Sequence, residues 1–366
     1  MNQQSFRTSL ISVAMASALA ACGGGGGDST ATQPPVAVTP VTPVVPVPVA
    51  PVAPVTPAAP INTAPQSATY AATSPEAAVF QQLNEERNSC GFGFLKQSAV
   101  LDQVTQDANA YFRNRAAESF ASARSYLHLQ DGAKSGFTGI APSDRARFRS
   151  YLAPDNGGVK EENSSLYSPV ASSLSNKALA IEDLGQLLTS VYHLGGIMSS
   201  LTELGLDYTR VTTADGVDAG RLNMTLAVPT GGVRQVDTKV RTYPCAGTTR
   251  VLPTFVPSNE SPNPAPDLGT TTIGTPVYIN GPEGQTLTVA TASISPTAGG
   301  AALASRVLTY NEEPIFKSLG VHALKLNDAY ILPLVPLTKG VSYTVTITGD
   351  SNGVAFTKTF AFTPSL

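Results

Sequence analysis

The chain of 366 residues holds three histidines, His128, His193 and His322. His128 lies in "SYLHLQDG", Glu161 and Glu162 lie in "VKEENSS", and His193 ends the apolar helical run of "LLTSVYHLGGIMSS", just before Gly195-Gly196. Two imidazoles and a carboxylate from separate elements form a borderline donor set that suits zinc or another divalent metal. Ser190 and His193 stand at i and i+3 of a predicted helix, where side chains are neighbours, and a serine beside an imidazole opens nucleophilic chemistry. Neither a Gly-x-Ser-x-Gly elbow nor a His-Glu-x-x-His helix supports hydrolysis. Spacing alone does not bring the two histidines together. The bland reading of His193 is a half-buried residue whose charged form favours a helix C-terminus. His322, in "SLGVHALKL", has no partner motif and reads as a surface or packing residue. Neighbours on a strand point to opposite faces. Neither Glu161-Glu162 nor Glu312-Glu313 therefore reads as a paired acid and base, and all but Glu162 read as solvated charges.

The elements that must position these residues are legible from start signals. Ser74-Pro75-Glu76 predicts a helix with Ser74 as N-cap and Pro75 at the first position. A second start at Ser98 opens "AVLDQVTQDANAYFRNRAAESF", with Leu101, Val104, Ala108 and Phe112 as an apolar stripe. "SDRARFRSYL" predicts a third helix capped by Ser143, and a fourth runs from Asn176 to Tyr192. The strand-like runs "TELGLDYTRV" and "RLNMTLAV" flank Asp215-Gly216, a hairpin turn signal. Helices first and an antiparallel sheet later predict an α+β fold. Beyond the Pro-rich "PTFVPSNESPNPAPDLGTTT", short β-rich runs recur between Gly and Pro residues, which suggests a β-sandwich.

The N-terminus bears on location. The apolar run Leu10–Ala21 is too short to span a bilayer, which needs about 20 residues, and reads as a secretory signal. Small residues directly before Cys22 resemble a bacterial lipobox, in which Cys22 is acylated and anchors the protein to a membrane. Residues 23–60 then form a Gly- and Pro-rich tether that could hold a domain on the order of 100 Å away. The net charge of −3 and the lack of a basic cluster exclude nucleic acid as a partner. Cys90 and Cys245 remain. In an exported protein they most simply form one disulfide, stabilising by up to about 5 kcal/mol, and two free thiols are the alternative.

The segment "FQQLNEERNSCGFGFLKQSAVLDQVTQDANAYFRNRA" resembles the opening of the CAP superfamily (cysteine-rich secretory, antigen 5 and pathogenesis-related proteins) in its bacterial, SCP-like branch. Asn84 and Arg87 meet its Asn-x-x-Arg pattern. "FTGIAPSDRARFRSY" is similar to its Pro-x-Asp-Arg-Ala segment, "EENSS" sits where a Gly-Glu-Asn motif would, and "LLTSVYHLGGIMSSLTELGLDY" is similar to its closing helix. The resemblance covers residues 74–230 and implies a three-layer α-β-α sandwich. It also implies a cavity with a His-Glu-Glu-His tetrad, matched at three positions by His128, Glu162 and His193. The second glutamate aligns with Ser190, the Gly before Glu162 is Glu161, and the Arg after the second histidine is Leu194. "PLTKGVSYTVTI" resembles a hairpin of fibronectin- and immunoglobulin-like modules, in which a tyrosine at the place of Tyr343 bonds back to the preceding loop.

The expected organisation is a signal peptide (1–21), a tether (22–73), a CAP-like domain (74–248), a joint (249–272) and an immunoglobulin-like β-sandwich (273–366). The expected function is an exported, membrane-anchored, non-catalytic binding module. It would sit in the cell envelope, at the outer membrane of a Gram-negative cell. Its cleft of His128, Glu162, His193 and Ser190 would take a lipid-like, sterol-like or envelope-derived ligand, with zinc or another divalent metal as a candidate cofactor. The alternatives are a metal-assisted peptidase or esterase, and an adhesive role carried by the β-sandwich.

Overall fold

A computed structural model of the chain describes residues 60–366, apart from 126–127, 155–157, 168–172, 237 and 321. The signal, Cys22 and tether readings up to residue 59 lie outside the described residues. The described residues fall in one compact unit that holds every element below.

Helix α1 (Pro75–Ser89) begins as its sequence predicts, with Ser74 Oγ accepting the Ala77 N–H at 3.1 Å. Strand β1 (Lys96–Gln97) leads into α2 (Ala99–Arg113), and α3 (Phe120–Arg124) starts afresh from Ser119, so the predicted second helix is two. Helix α4 (Pro142–Phe148) starts one residue before the predicted cap at Ser143. Pro142 takes the first helical position, and Asp144 reaches back to accept the Ala141 N–H at 2.9 Å. Strand β2 (Val159–Tyr167) and α5 (Asn176–Leu187) follow, then a short α6 (Tyr192–Ile197). Strands β3 (Glu203–Thr212) and β4 (Asp218–Ala227) form the predicted hairpin, with Gly216 at φ +76° in its turn.

These strands make a sheet of order β1-β3-β4-β2, in which β2 is an edge. Alternation along β4 sets its two faces. Leu222, Met224 and Leu226 pack with Val79 and Leu83 of α1 and Leu184 of α5, while Ala219 and Ala227 face α2, α3 and α4. Helices therefore cover both faces. Helix α2 presses so closely on β3 that a Cβ at Gly205 would overlap the Leu101 backbone. The mixed α+β class is as expected.

The second half is all-antiparallel apart from short helical turns. Strands β5 (Arg241–Tyr243), β6 (Thr254–Phe255), β7 (Ile273–Gly274), β8 (Val277–Asn280), β9 (Leu287–Pro296) and β10 (Ser305–Thr309) come first. Helix α7 (Pro314–Leu319), β11 (Asp328–Pro333), β12 (Tyr343–Ser351) and β13 (Val354–Phe362) complete it. One sheet has the order β10-β11-β8-β5 and another β13-β12-β9, with β6 and β7 paired separately. Thr338 N–H donates to Tyr343 Oη at 2.9 Å, the back-bond expected there.

The two halves share one core. Every residue of β8 and β11 is buried, as in strands covered on both faces. Ile294, Val345 and Ile347 cover one side, and Phe92, stacked 6.1 Å from Tyr278, helps to cover the other. Strand β5, placed by sequence in the first domain, is an edge of the second half's sheet. Cys90, just after α1, is disulfide-bonded to Cys245, just after β5. Residues 60–73, expected in the tether, are held to the folded unit. Asn62 N–H donates to Gln235 Oε1 at 3.0 Å, and Tyr70 Oη donates to Asp102 at 2.5 Å.

Candidate functional site

His193 is placed by residues from the far half of the chain. Helix α5 ends at Leu187, and Glu260 starts α6 anew by accepting the N–H groups of Val191, Tyr192 and His193 at 2.9, 2.6 and 3.1 Å. Those are the donors a helix N-terminus leaves open. Glu260 follows a single 3₁₀ turn, Pro257–Asn259, in the Pro-rich joint. Its burial pushes its pKa up, against the pull of His193 and the three N–H groups. Tyr330 of β11 donates its hydroxyl to Val191 O at 2.5 Å. His193 therefore stands in the first turn of a short helix, whereas the apolar run predicts the C-terminal end of a long one.

Glu162 reaches α6 from the edge strand β2, and its Oε2 lies 2.6 Å from His193 Nδ1. A Cβ at Gly196 would overlap Glu162 Oε1, so glycine is what admits the carboxylate. Burial disfavours charge on His193, but the hydrogen bond and charge of Glu162 outweigh it and raise the pKa above the ordinary imidazole value.

His128 arrives from the opposite face of β2. Its carbonyl accepts from Arg145 Nη1 at 3.1 Å, and its ring Nδ1 lies 3.3 Å from the Asn163 amide nitrogen, so Nδ1 is the acceptor. The two imidazoles meet beside the free edge of β2, with ring centroids 5.8 Å apart and planes 22° from parallel. Burial, then the charges of His193, Arg221 and Arg145, push the His128 pKa down to about 3. Burial and the neighbouring charges thus favour the neutral form of His128, while Glu162 favours the charged form of His193. Environments that separate two such groups mark a candidate site.

Glu161 was expected to be solvated and is instead buried. Arg145 pairs with one of its oxygens, while Asn223 at 3.1 Å and Arg221 at 3.4 Å approach the other. Burial pushes both arginines down to about 9, so they stay charged near neutral pH. Alternation along β2 thus gives one glutamate to the scaffold and the next to His193. Glu313, also expected to be solvated, is fully buried far along the chain. It accepts the N–H groups of Ala323 and Leu324 and lies 3.3 Å from His322 Nδ1.

Ser190 lies near in sequence but is turned away in function. Its hydroxyl donates to Leu187 O at 2.7 Å, in the turn before α6, so it does not share a helix face with His193. His193 Nδ1 is engaged by Glu162, and His128 Nδ1 faces Asn163. Among the described residues no three His, Cys, Asp or Glu side chains are grouped to hold a metal ion. The residues as placed form an imidazole–carboxylate pair with a second ring beside it, and this does not fit a three-ligand metal set. A narrow cleft lined by Lys160, Tyr192, Gly195, Lys325 and Tyr330 opens next to the pair, and Gly196 borders both. Arg145, Asn163, Glu260 and Tyr330 complete the site. Only the first two lie in motif-like sequence, and neither carried a predicted role.

No family model matches the chain, and no curated protein does. Among solved structures, it is similar to an outer surface protein from Borrelia burgdorferi. The identity is 14%, the match covers 45% of this chain and 97% of that one, and the TM-score is 0.27.

Proposed function

We propose that this chain is an exported, tethered binding module of the CAP type, in which a cleft at His128, Glu162 and His193 takes a lipid-like or envelope-derived ligand without turnover. The observation that carries the reading is the meeting of those three residues, from a loop, a strand and a helix, beside one strand edge. Helices on both faces of the first sheet support a three-layer sandwich, and the Thr338–Tyr343 bond supports an immunoglobulin-like second half. In this reading residues 1–21 are removed, Cys22 is acylated, and the protein sits in the cell envelope, at the outer membrane of a Gram-negative cell.

The test is titration of the purified protein with a fluorescent fatty acid and, separately, with zinc. His128→Ala, His193→Ala and Glu162→Gln serve as variants. Saturable fatty-acid binding, weakened in all three, is the expected result. Equal binding by every protein would remove the cleft from the reading, and zinc binding lost in both histidine variants would replace it with a metal site. A second reading, hydrolysis, draws on the way Glu162 orients the His193 ring, as a carboxylate orients a general base. Glu162 also favours the charged form of that ring, which opposes the role of base. Turnover of an ester or peptide panel that disappears in Glu162→Gln would establish it.

A further inference from the structure

Ten large apolar side chains are exposed among the described residues, and five of them, Leu129, Phe137, Ile140, Phe148 and Leu152, fall in one stretch of the first half. All but Phe137 are more than half exposed. They cluster in space as well as in sequence. Gln130 N–H donates to Ile140 O at 3.0 Å, which sets Leu129 beside Ile140, and Arg145 ties the carbonyls of His128, Gly139 and Ile140 to α4. Phe148 ends α4, and Tyr151 N–H folds back onto Ala146 O at 2.9 Å, which brings Leu152 alongside.

Cations lie among these side chains. Arg147 and Arg149 flank Phe148, the Arg149 guanidinium 5.6 Å from its ring centroid, and each is paired with a carboxylate, Arg147 with Asp144 at 3.2 Å and Arg149 with Asp107 at 2.6 Å. An apolar body with a charged tip kept in water is how side chains settle at a lipid–water boundary.

The path of the chain points the same way. Asn62, close to where the described residues begin, is held by Gln235, and Thr230 N–H donates to Leu152 O at 2.8 Å. Residues 230–235 span at most about 20 Å even when fully extended. The first described residues therefore lie toward the Leu152 end of the exposed stretch. We infer that the face bearing Leu129, Ile140, Phe148 and Leu152 docks on a lipid bilayer surface, its apolar side chains entering the interface. This rests on the anchored reading only for bringing the membrane close. It does not depend on the His193–Glu162 pair.

The experiment is co-sedimentation with vesicles of phosphatidylethanolamine and phosphatidylglycerol. It uses the chain from Val55 onward, which carries the compact unit and lacks both the N-terminal apolar run and Cys22. Phe148→Ser with Leu152→Ser is one variant, and Leu129→Ser with Ile140→Ser is the other. Thermal unfolding confirms that both fold, as substitution of exposed side chains should allow. The expected result is vesicle binding that falls about tenfold in each double variant. Absence of binding by the unaltered protein, or equal binding by all three, would overturn the inference. So would concentration-dependent self-association abolished by the same substitutions, which would make the face an interface between copies. Loss of fatty-acid binding in Glu162→Gln with vesicle binding intact would separate this face from the cleft.

Discussion

The molecule contains two histidine–glutamate pairs made of the same atoms, and they do different things. In both, a histidine Nδ1 faces a glutamate Oε2, at 2.6 Å between His193 and Glu162 and at 3.3 Å between His322 and Glu313. Glu313 spends its oxygens on the loop backbone, at Ala323 N and Leu324 N, and His322 is packed between the rings of Tyr310 and Phe316 at 3.4 and 3.9 Å. That pair is a clamp, and its imidazole is filler. Glu162 is aimed at the imidazole itself, and His193 lies beside a second imidazole and an open cleft. What separates the structural pair from the candidate site here is what else the carboxylate holds.

Substitution should widen this contrast. Glu313→Ala leaves two buried backbone donors without their acceptor and should lower the unfolding free energy by about 3 kcal/mol, read from the urea midpoint. The His193 titration, followed by NMR, should not move. If instead the His193 titration shifted with Glu313→Ala, the two pairs would be one network.

The neutral ring at the strand edge supplies the next effect. The His128 pKa is held near 3 in the folded protein, against about 6.5 unfolded, so between those values the unfolded state binds the extra proton. Stability should therefore fall as pH drops, by about 2 kcal/mol from pH 6.5 to pH 5. His128→Gln should flatten that part of the urea-unfolding profile. A slope unchanged by the substitution would place the acid sensitivity elsewhere.

Glu162→Gln should change stability by about 1 kcal/mol while dropping the His193 pKa below the ordinary value, because burial then outweighs the remaining pull of Glu260. The sign follows from the raised folded pKa. The stability gained from the charged pair is present below the unfolded pKa and is lost as pH rises through the folded one. The smallest effect belongs to Ser190→Ala, which removes one bond to Leu187 O. It should cost under about 1 kcal/mol and leave the His193 titration where it was. A shift there would reopen the nucleophile reading.

Much of the frame was legible because its signals are local. Ser74-Pro75 starts α1, Asp215-Gly216 turns the β3–β4 hairpin, and the β-rich runs of the second half all become strands. His128, Glu162 and His193 were singled out together and do meet. The start of α6 was not legible. Leu184 to Val191 continues the helical stripe, and what ends it is a carboxylate 67 positions from His193 and a hydroxyl 139 positions from Val191. Long-range partners leave no periodic trace. Charge alone also misled at Glu161 and Glu313, since a carboxylate is buried when donors of distant origin surround it, and the sequence nearby does not record them.

Glu260 has a consequence for how such a chain can be rearranged. A protein built of interchangeable units can lose or trade its C-terminal unit and keep the chemistry of the first. Here the cap on the helix that bears His193 is supplied from the joint, and its second brace, Tyr330, from the β-rich half. Truncation after the first sheet, or exchange of the β-rich half for another of similar outline, would keep His128, Glu162 and His193 in the chain yet leave α6 without its starting point. Inheritance of the candidate site is thereby tied to inheritance of the whole compact unit, so the two halves should travel together as a single heritable piece.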